Sequence, residues 1–374
     1  MTRVGIIGGG QLGRMLALAG HDNGISCTTL DPSRGSPAAA VAPAIVGAYD
    51  DHERLADLTE RSDVVTYEFE NVPVEAARSI EQRVPVFPPP AALEASQDRL
   101  AEKELFTAVG LPVAAYAPVD SLSSLADALE RLGTPAVLKT RRLGYDGKGQ
   151  AVIHDRLLAE DAWRSVGEVP CLLEALVRFD RELSIVAVRG RDGVTAAYPV
   201  VENRHRDGIL RETRAPAPGL TPAVQEAAEA HARSLMAELG YVGVLAIELF
   251  QTGASLLGNE MAPRVHNSGH WTIEAAEASQ FENHLRAVCG LPLGVTDPVG
   301  VSAMVNLIGS MPDRGAVLAV PGAHLHDYGK QTRPGRKLGH VTVRADDERT
   351  LEARLDELMA ALGTSGAPKA SGER

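Results

Sequence analysis

Hydrophobic and polar positions follow two regimes along the chain. From Arg3 to about residue 90, short apolar runs alternate with stretches of helical spacing. RVGIIG (3–8), SCTTLD (26–31), AIVGAY (44–49) and VVTYEFE (64–70) read as strands, GGGQLGRMLALAGHDNG as a glycine turn entering a helix, and DDHERLADLTER as a further helix. This βαβ pattern predicts a parallel, doubly wound α/β sheet, closed by the proline-rich VPVFPPPAALEA. Beyond it the helix SQDRLAEKELFTAVG stops at Gly110-Leu111-Pro112. AVLKT, QAVIH, CLLEALV, RELSIVAVRG and TAAYPVVE read as strands, with the amphipathic helix TPAVQEAAEAHARSLMAELG after them. Hairpins outnumber βαβ units here, so this part is α+β. From about residue 295, AMVNLIG, HLHDYG and HVTVRA read as strands and DERTLEARLDELMAALG as a helix. The division expected is 1–95, 96–295 and 296–374, the last ending in a disordered tail, TSGAPKASGER.

One stretch carries more chemistry than its pattern needs. VGVLAIELF and SLLGNEMAP are strand-like runs separated by Thr252-Gly253-Ala254, and each holds one glutamate, Glu248 and Glu260. A three-residue loop at 253–255 pairs 252 with 256, 250 with 258 and 248 with 260, so both carboxylates face the same side of a hairpin. Facing like charges call for a counter-charge, and a divalent cation held by oxygen ligands and substrate phosphates supplies one. A register one residue off instead sends the glutamates to opposite faces, where they solvate an edge. The run then continues into Arg264, His266, Asn267 and His270. Arginine suits a planar anion such as bicarbonate, a carboxylate or phosphate.

Composition narrows the class. A chain of 374 residues, 44% hydrophobic and 23% charged, is a multi-domain globular protein. The net charge of −12 argues against a nucleic-acid surface. No apolar run reaches membrane-spanning length, the N-terminus has no signal-peptide layout, and three scattered cysteines fit a reducing cytoplasm.

Against that acidic background, phosphate-suited groups stand out. Gly8, Gly10 and Gly13 fit G-x-G-x-x-G between strand and helix, with Asp31 ending the next strand. This reads either as a dinucleotide fingerprint for NAD or as a structural or phosphate-binding turn. Lys139 ends an apolar strand, and TRRLGYDGKGQ follows, with Gly144, Gly147 and Gly149 around Lys148. Such a loop either folds its N–H groups and lysine onto phosphates or is a solvated hairpin. Glu174 and Glu182 lie in strands, where they meet a nucleotide or face water, and Glu202, Asn203 and His205 precede a glycine turn. Lys330, Arg333, Arg336 and Lys337 surround a Pro-Gly turn, as a phosphate site or a charged surface turn.

GGGQLGRM (8–15), TYEFENV (66–72), QDRLAEK (97–103), LKTRRLGYDGKGQ (138–150), VVENRHRDGIL (200–210), NEMAPRVHNSGHWTIEA (259–275) and RPGRKLGHV (333–341) together resemble the ATP-grasp superfamily. Within it they are similar to the N5-carboxyaminoimidazole ribonucleotide synthetases of purine biosynthesis. The resemblance implies a Rossmann-like preATP-grasp domain, a two-part ATP-grasp domain and a small β-rich C-terminal domain. It implies a cytoplasmic, homodimeric carbon–nitrogen ligase that takes ATP, bicarbonate and 5-aminoimidazole ribonucleotide, with Mg²⁺ or Mn²⁺. By position, ATP would meet Arg99, Lys139, Gly144, Tyr145, Asp146, Gly147, Lys148, Gly149, Gln150, the backbone of Glu174, Ala175, Leu176 and Val177, Glu182, His205, Asn259 and Glu260. Glu248 and Glu260 would hold the metal. Arg264 and His266, with Lys148, would be catalytic. Gln11, Glu70, Tyr145, Asp146, Lys330, Arg336 and Lys337 would meet the aminoimidazole ribonucleotide. Three other readings compete: an ATP-grasp ligase using formate or another carboxylate, an NAD-dependent oxidoreductase built on Gly8–Gly13, and a non-catalytic nucleotide sensor.

Overall fold

The computed structural model describes residues 2–144 and 147–363. Tyr145 and Asp146, and with them two expected ligand contacts, lie outside the described residues, as does the tail 364–374. Among the described residues no helix is long and apolar enough to cross a membrane.

The predicted N-terminal strands form a parallel sheet in the order Ala44–Val46, Ser26–Asp31, Arg3–Ile7, Val64–Tyr67. The helix Gln11–Asp22 follows the first strand and buries Leu12, Met15 and Leu16. A second sheet orders Tyr116–Val119, Cys171–Ala175, Ala136–Thr140 and Gln150–Ile153, all antiparallel. The helices Leu122–Leu132 and Ala159–Ser165 cover one of its faces, where Leu125, Leu129 and Trp163 pack on Leu138 and Leu173. Alternation along a strand then sends Lys139 and Glu174 to the other face.

The third sheet is the frame of the molecule. It runs Ser255–Ala262, Gly243–Thr252, Arg181–Arg189, Val201–Arg206, Ile209–Ala215, Val301–Ile308, Lys337–Ala345, Ala323–Asp327, with Thr195–Ala197 also on Arg181–Arg189. The helix Pro222–Glu238 packs on one face through Val224, Ala228, Ala232 and Leu235, against Ile185, Leu245 and Ile247. On another part of the sheet, Val186, Val188 and Val244 share a core with Leu16, Val4 and Leu285, which fastens the N-terminal sheet to this one. His284, on the helix Gln280–Cys289, joins the two by its ring: Val244 N–H donates to Nδ1, and Nε2 lies 2.8 Å from Thr66 Oγ1. Hydrophobic patterning does not announce that helix. VVENRHRDGIL also proves to be the start of a hairpin, turning at Asp207-Gly208, both at positive φ.

The glutamate hairpin reaches its register by an unexpected route. The loop is two residues, Gly253-Ala254, because Thr252 pairs with Ser255. That register continues to Leu249 opposite Gly258, after which Glu248 pairs with Glu260. Asn259 is therefore the extra residue of a β-bulge. The bulge changes the parity of the strand. Gly258, before it, and Met261, after it, both face the core beside Phe106 and Ile247, while Glu260 turns to the face of Glu248. An unbulged two-residue hairpin would put Glu260 opposite Ile247, on the apolar side.

Gly258 has no room for a side chain: a Cβ there would stand 2.8 Å from both Leu111 Cδ2 and Phe106 Cδ2. Gly258→Ala is expected to lower the urea-unfolding free energy by about 1–3 kcal/mol through overpacking. An unchanged midpoint would contradict this close approach.

Candidate active site

A cavity of about 840 Å³ opens where the three sheets meet. Its lining brings together Gln11 and Glu70 from the N-terminal sheet's helix and loops, Arg99 from the helix Arg99–Ala108, Lys139, Gly144, Gly147, Gln150 and Leu176 from the second sheet and its loops, and His205, Glu248, Asn259, Glu260, Arg264, His266 and Lys337 from the central sheet and its loops. Residues expected in one site but separated by hundreds of positions thus converge.

Glu248 and Glu260 face each other across the ladder, and both are oxygen donors, as is the side-chain carbonyl of Asn259. A hard cation such as Mg²⁺ takes this donor set. No group of three or more His, Cys, Asp or Glu side chains suited to an ion occurs among the described residues, so an ion here would complete its shell with water or phosphate oxygens. Arg99 Nη1 lies 3.2 Å from Glu260 Oε2. Burial opposes the charged form of Glu260, but Arg99 and Lys139 outweigh it and lower its pKa.

Lys139 Nζ donates to Glu174 Oε2 at 3.0 Å, and Lys103 Nζ lies 3.7 Å from the same oxygen. Burial works against ionised Glu174, yet the two lysines bring its pKa down to about 2. Strand geometry thus gives Glu174 a side-chain task, orienting Lys139, besides the backbone role the resemblance assigns. Ala175 ends that strand and Val177 follows it; neither they nor Glu174 line the cavity. Glu182 lies behind His205 in direct contact with its ring. Asn203 is turned away into a buried network with Ser184 and Thr213.

Gly144 and Gly147 of the glycine loop line the cavity. A Cβ on Gly147, which has φ +77°, would stand 3.1 Å from Gly208 Cα, so loop and hairpin turn meet backbone to backbone. Gly149 O accepts from Thr140 N–H at 2.8 Å. Lys148 stands exposed on this turn, outside the cavity lining.

Arg264 and Glu70, assigned separately to bicarbonate and to the nucleotide substrate, pair with each other. Arg264 Nε and Nη2 donate to the two Glu70 oxygens at 2.5 and 2.7 Å, and Nη1 donates to Val265 O at 3.0 Å. A guanidinium has five N–H donors, so one on each Nη nitrogen is left for an incoming anion. Burial raises the carboxyl pKa of Glu70, but Arg264 overcomes it and brings it down to about 2. His266 is driven the other way: burial, then Arg264 and Lys337, lower it to about 3. Its neutral ring accepts Ser268 N–H at Nδ1 (3.3 Å), which leaves the proton on Nε2, 3.6 Å from Glu248 Oε1.

On the far side, Lys330 contacts the Gln11 side chain. Burial and the neighbouring Arg336 lower its pKa to about 8. Arg336 itself donates to Gln331 O at 3.4 Å and stays on the exposed turn.

The first glycine cluster resolves against a dinucleotide. Glu68 accepts from Gly10 N–H and, at 2.6 Å, from Gly13 N–H, while Asp31 accepts from Gly9 N–H at 2.9 Å and from Tyr49 at 2.9 Å. The chain's own carboxylates occupy the anion site at this helix N-terminus, so the turn is structural. Sequence reasoning missed Glu68, and also Glu102 and Lys103. Arg99, Glu102, Lys103 and Phe106 share one face of the helix Arg99–Ala108, and charges at that spacing beside a buried aromatic were the available signal.

Comparison with known proteins identifies the fold and its domains. Residues 1–97 match a ribonucleotide synthetase preATP-grasp domain, 104–281 an ATP-grasp domain, and 302–354 a phosphoribosylaminoimidazole carboxylase C-terminal domain. The chain is 49% identical over 360 residues to N5-carboxyaminoimidazole ribonucleotide synthase of Pseudomonas aeruginosa, covering 96% of this chain and 99% of the relative. The crystal structure of the synthetase from Thermus thermophilus matches with a TM-score of 0.94 at 55% identity, over 98% of this chain and 99% of the other. The Aspergillus clavatus synthase, solved in complex with ADP and 5-aminoimidazole ribonucleotide, matches with a TM-score of 0.91 at 31% identity, over 97% and 98%. With its fold, its domain order and nearly its whole length shared, the chain belongs to the N5-carboxyaminoimidazole ribonucleotide synthase family of ATP-grasp ligases.

Proposed function

We propose that this protein carboxylates the amine of 5-aminoimidazole ribonucleotide, using bicarbonate and ATP, to give N5-carboxyaminoimidazole ribonucleotide, ADP and phosphate in purine biosynthesis. The observation that carries the reading is one cavity holding the facing pair Glu248 and Glu260 between Lys139 and Arg264. A cytoplasmic homodimer belongs to the same reading and rests on family membership.

Bicarbonate carbon is a poor electrophile because the group already carries a full negative charge. Accepting the γ-phosphoryl group makes carboxyphosphate, whose phosphate is a good leaving group. Little covalent work falls to the protein, so positioning and charge neutralisation dominate. Lys139, oriented by Glu174, meets an α- or β-phosphate oxygen. Gly144 to Gln150 would cover the phosphates, and of the segment from Glu174 to Val177 it is Leu176, which lines the cavity, that would border the adenine. Glu182 and His205 take the ribose side. Glu248 and Glu260, with Asn259 alongside, would hold Mg²⁺ (or Mn²⁺), which would supply neutralisation of phosphate charge. The two remaining Arg264 N–H donors hold bicarbonate, and neutral His266 directs its Nε2–H into the same space. Gln11, Glu70, Tyr145, Asp146 and Lys330 border the aminoimidazole ribonucleotide, with Arg336 and Lys337 near its phosphate. Carboxyphosphate hydrolyses readily, so closure of the loop 144–149 against Gly208 excludes water. The substrate amine then forms the C–N bond as the bond to the phosphate oxygen breaks.

An ADP-release assay tests the reading: release is expected only with both bicarbonate and aminoimidazole ribonucleotide, and formate is expected not to replace bicarbonate. Formate-dependent release would point to a different ligase. Glu260→Gln should lose about a hundredfold or more of this activity, on the scale of losing a transition-state charge stabiliser, with an unchanged circular-dichroism spectrum. Normal turnover would remove Glu260 from the metal site.

Lys330 supplies a pH test. It is charged below its pKa of about 8 and loses its proton as pH rises through that value. The KM for aminoimidazole ribonucleotide is expected to climb by up to about tenfold per unit above pH 8, as for loss of one required proton, while the KM for ATP stays nearly level. A flat profile would separate Lys330 from the aminoimidazole ribonucleotide.

A further inference from the structure

The bulge at Asn259 decides where Glu260 points, and a buried lysine reads that bulge directly. In a regular strand, successive carbonyls point to opposite edges. In the strand Ser255–Ala262 the carbonyls of Gly258 and Asn259, which are consecutive, both accept from Lys103 Nζ, at 3.2 and 2.9 Å. One ammonium reaches both only when the strand is bulged. The neighbouring Glu102 accepts from Met261 N–H at 2.7 Å, two residues beyond the bulge. Pro112 O accepts Gly258 N–H at 2.7 Å on the same edge. Lys103 is 1% exposed and lies 3.7 Å from Glu174 Oε2, the oxygen that also holds Lys139.

We propose that Lys103, seconded by Glu102, is the positioning element that selects the bulged form of this strand and so places Glu260 on the face of Glu248. Lys103 meets neither metal nor substrate and acts through Glu260, while Lys139 keeps its own hydrogen bond to Glu174 Oε2 at 3.0 Å. An unbulged strand would offer Lys103 a single carbonyl and would turn the Glu260 carboxylate toward the apolar core. The inference rests on the reading that Glu248 and Glu260 together hold the divalent ion.

Mn²⁺ binding to the ADP-loaded protein, followed by electron paramagnetic resonance, tests it without turnover. The parent protein is expected to bind Mn²⁺ and Glu260→Gln to lose it. If Glu260→Gln binds like the parent, the metal reading fails and the inference with it. Given that control, Lys103→Met is expected to bind Mn²⁺ about tenfold to a hundredfold more weakly, the size of effect that groups orienting a metal ligand have. Its affinity for ADP without metal should stay within about threefold of the parent, a split that general loosening of the fold would not produce. A folded Lys103→Met that binds Mn²⁺ like the parent overturns the proposal while leaving the metal reading intact. Should Lys103→Met fail to fold, the Glu102 pair decides. Glu102→Gln, which keeps the acceptor for Met261 N–H, is expected to bind normally, and Glu102→Leu about tenfold more weakly. Equal binding by both overturns it.

Discussion

Two carboxylates forced to the same face of one hairpin are the constraint on which the rest of the site depends. Glu248 and Glu260 repel, and a strand pair gains nothing from placing them opposite each other. The arrangement persists because Asn259 is inserted as a bulge, because the edge beyond it is fastened by Lys103, Glu102 and Pro112, and because Arg99 stands beside Glu260. Residues that look remote from the chemistry therefore stand close behind it. The helix Arg99–Ala108 contributes a cavity arginine, two braces and the aromatic ring on Gly258 from one face.

Around this pair, buried and half-buried charges come in opposed couples: Glu174 with Lys139 and Lys103, Arg264 with Glu70, and Arg99 with Glu260. Each couple compensates a desolvation cost that a lone buried ion would carry. Each also leaves hydrogen-bonding capacity toward the cavity. A chain of net charge −12 thereby presents Arg99, Lys139 and Arg264 to the cleft, with acids behind to hold them in place. Neutral His266 fits the same logic, since a further positive charge beside Arg264 and Lys337 would be opposed by both burial and repulsion.

Periodicity made most of the frame legible: the parallel N-terminal strands, the strand carrying Lys139 and the long helix Pro222–Glu238 stand where apolar spacing puts them, whereas the helix expected from Ser96 starts at Arg99 behind an Asp98 cap, and the expected proline-rich break holds the helix Pro90–Ser96. The facing of Glu248 and Glu260 was also legible, but the loop length behind it was not. A shorter turn and an extra residue compensate each other, and only Met261 falling on the core side hints at the change of parity. Glu68 could not be found from local pattern, because its partners Gly10 and Gly13 lie more than fifty positions away. The pairing of Arg264 with Glu70 joins positions 194 apart for the same reason. Motif matching names residues that meet ligands; the residues that hold those in place, such as Lys103 and Glu174, declare themselves only through backbone contacts.

The central claim, that the bulge brings both glutamates onto a single ion, is tested most directly by anomalous diffraction from crystals grown with Mn²⁺ and ADP. One anomalous peak within coordination distance of Glu248, Glu260 and an ADP phosphate oxygen is the expected result. A peak held by only one of the two glutamates, or placed outside the cleft, would contradict the account.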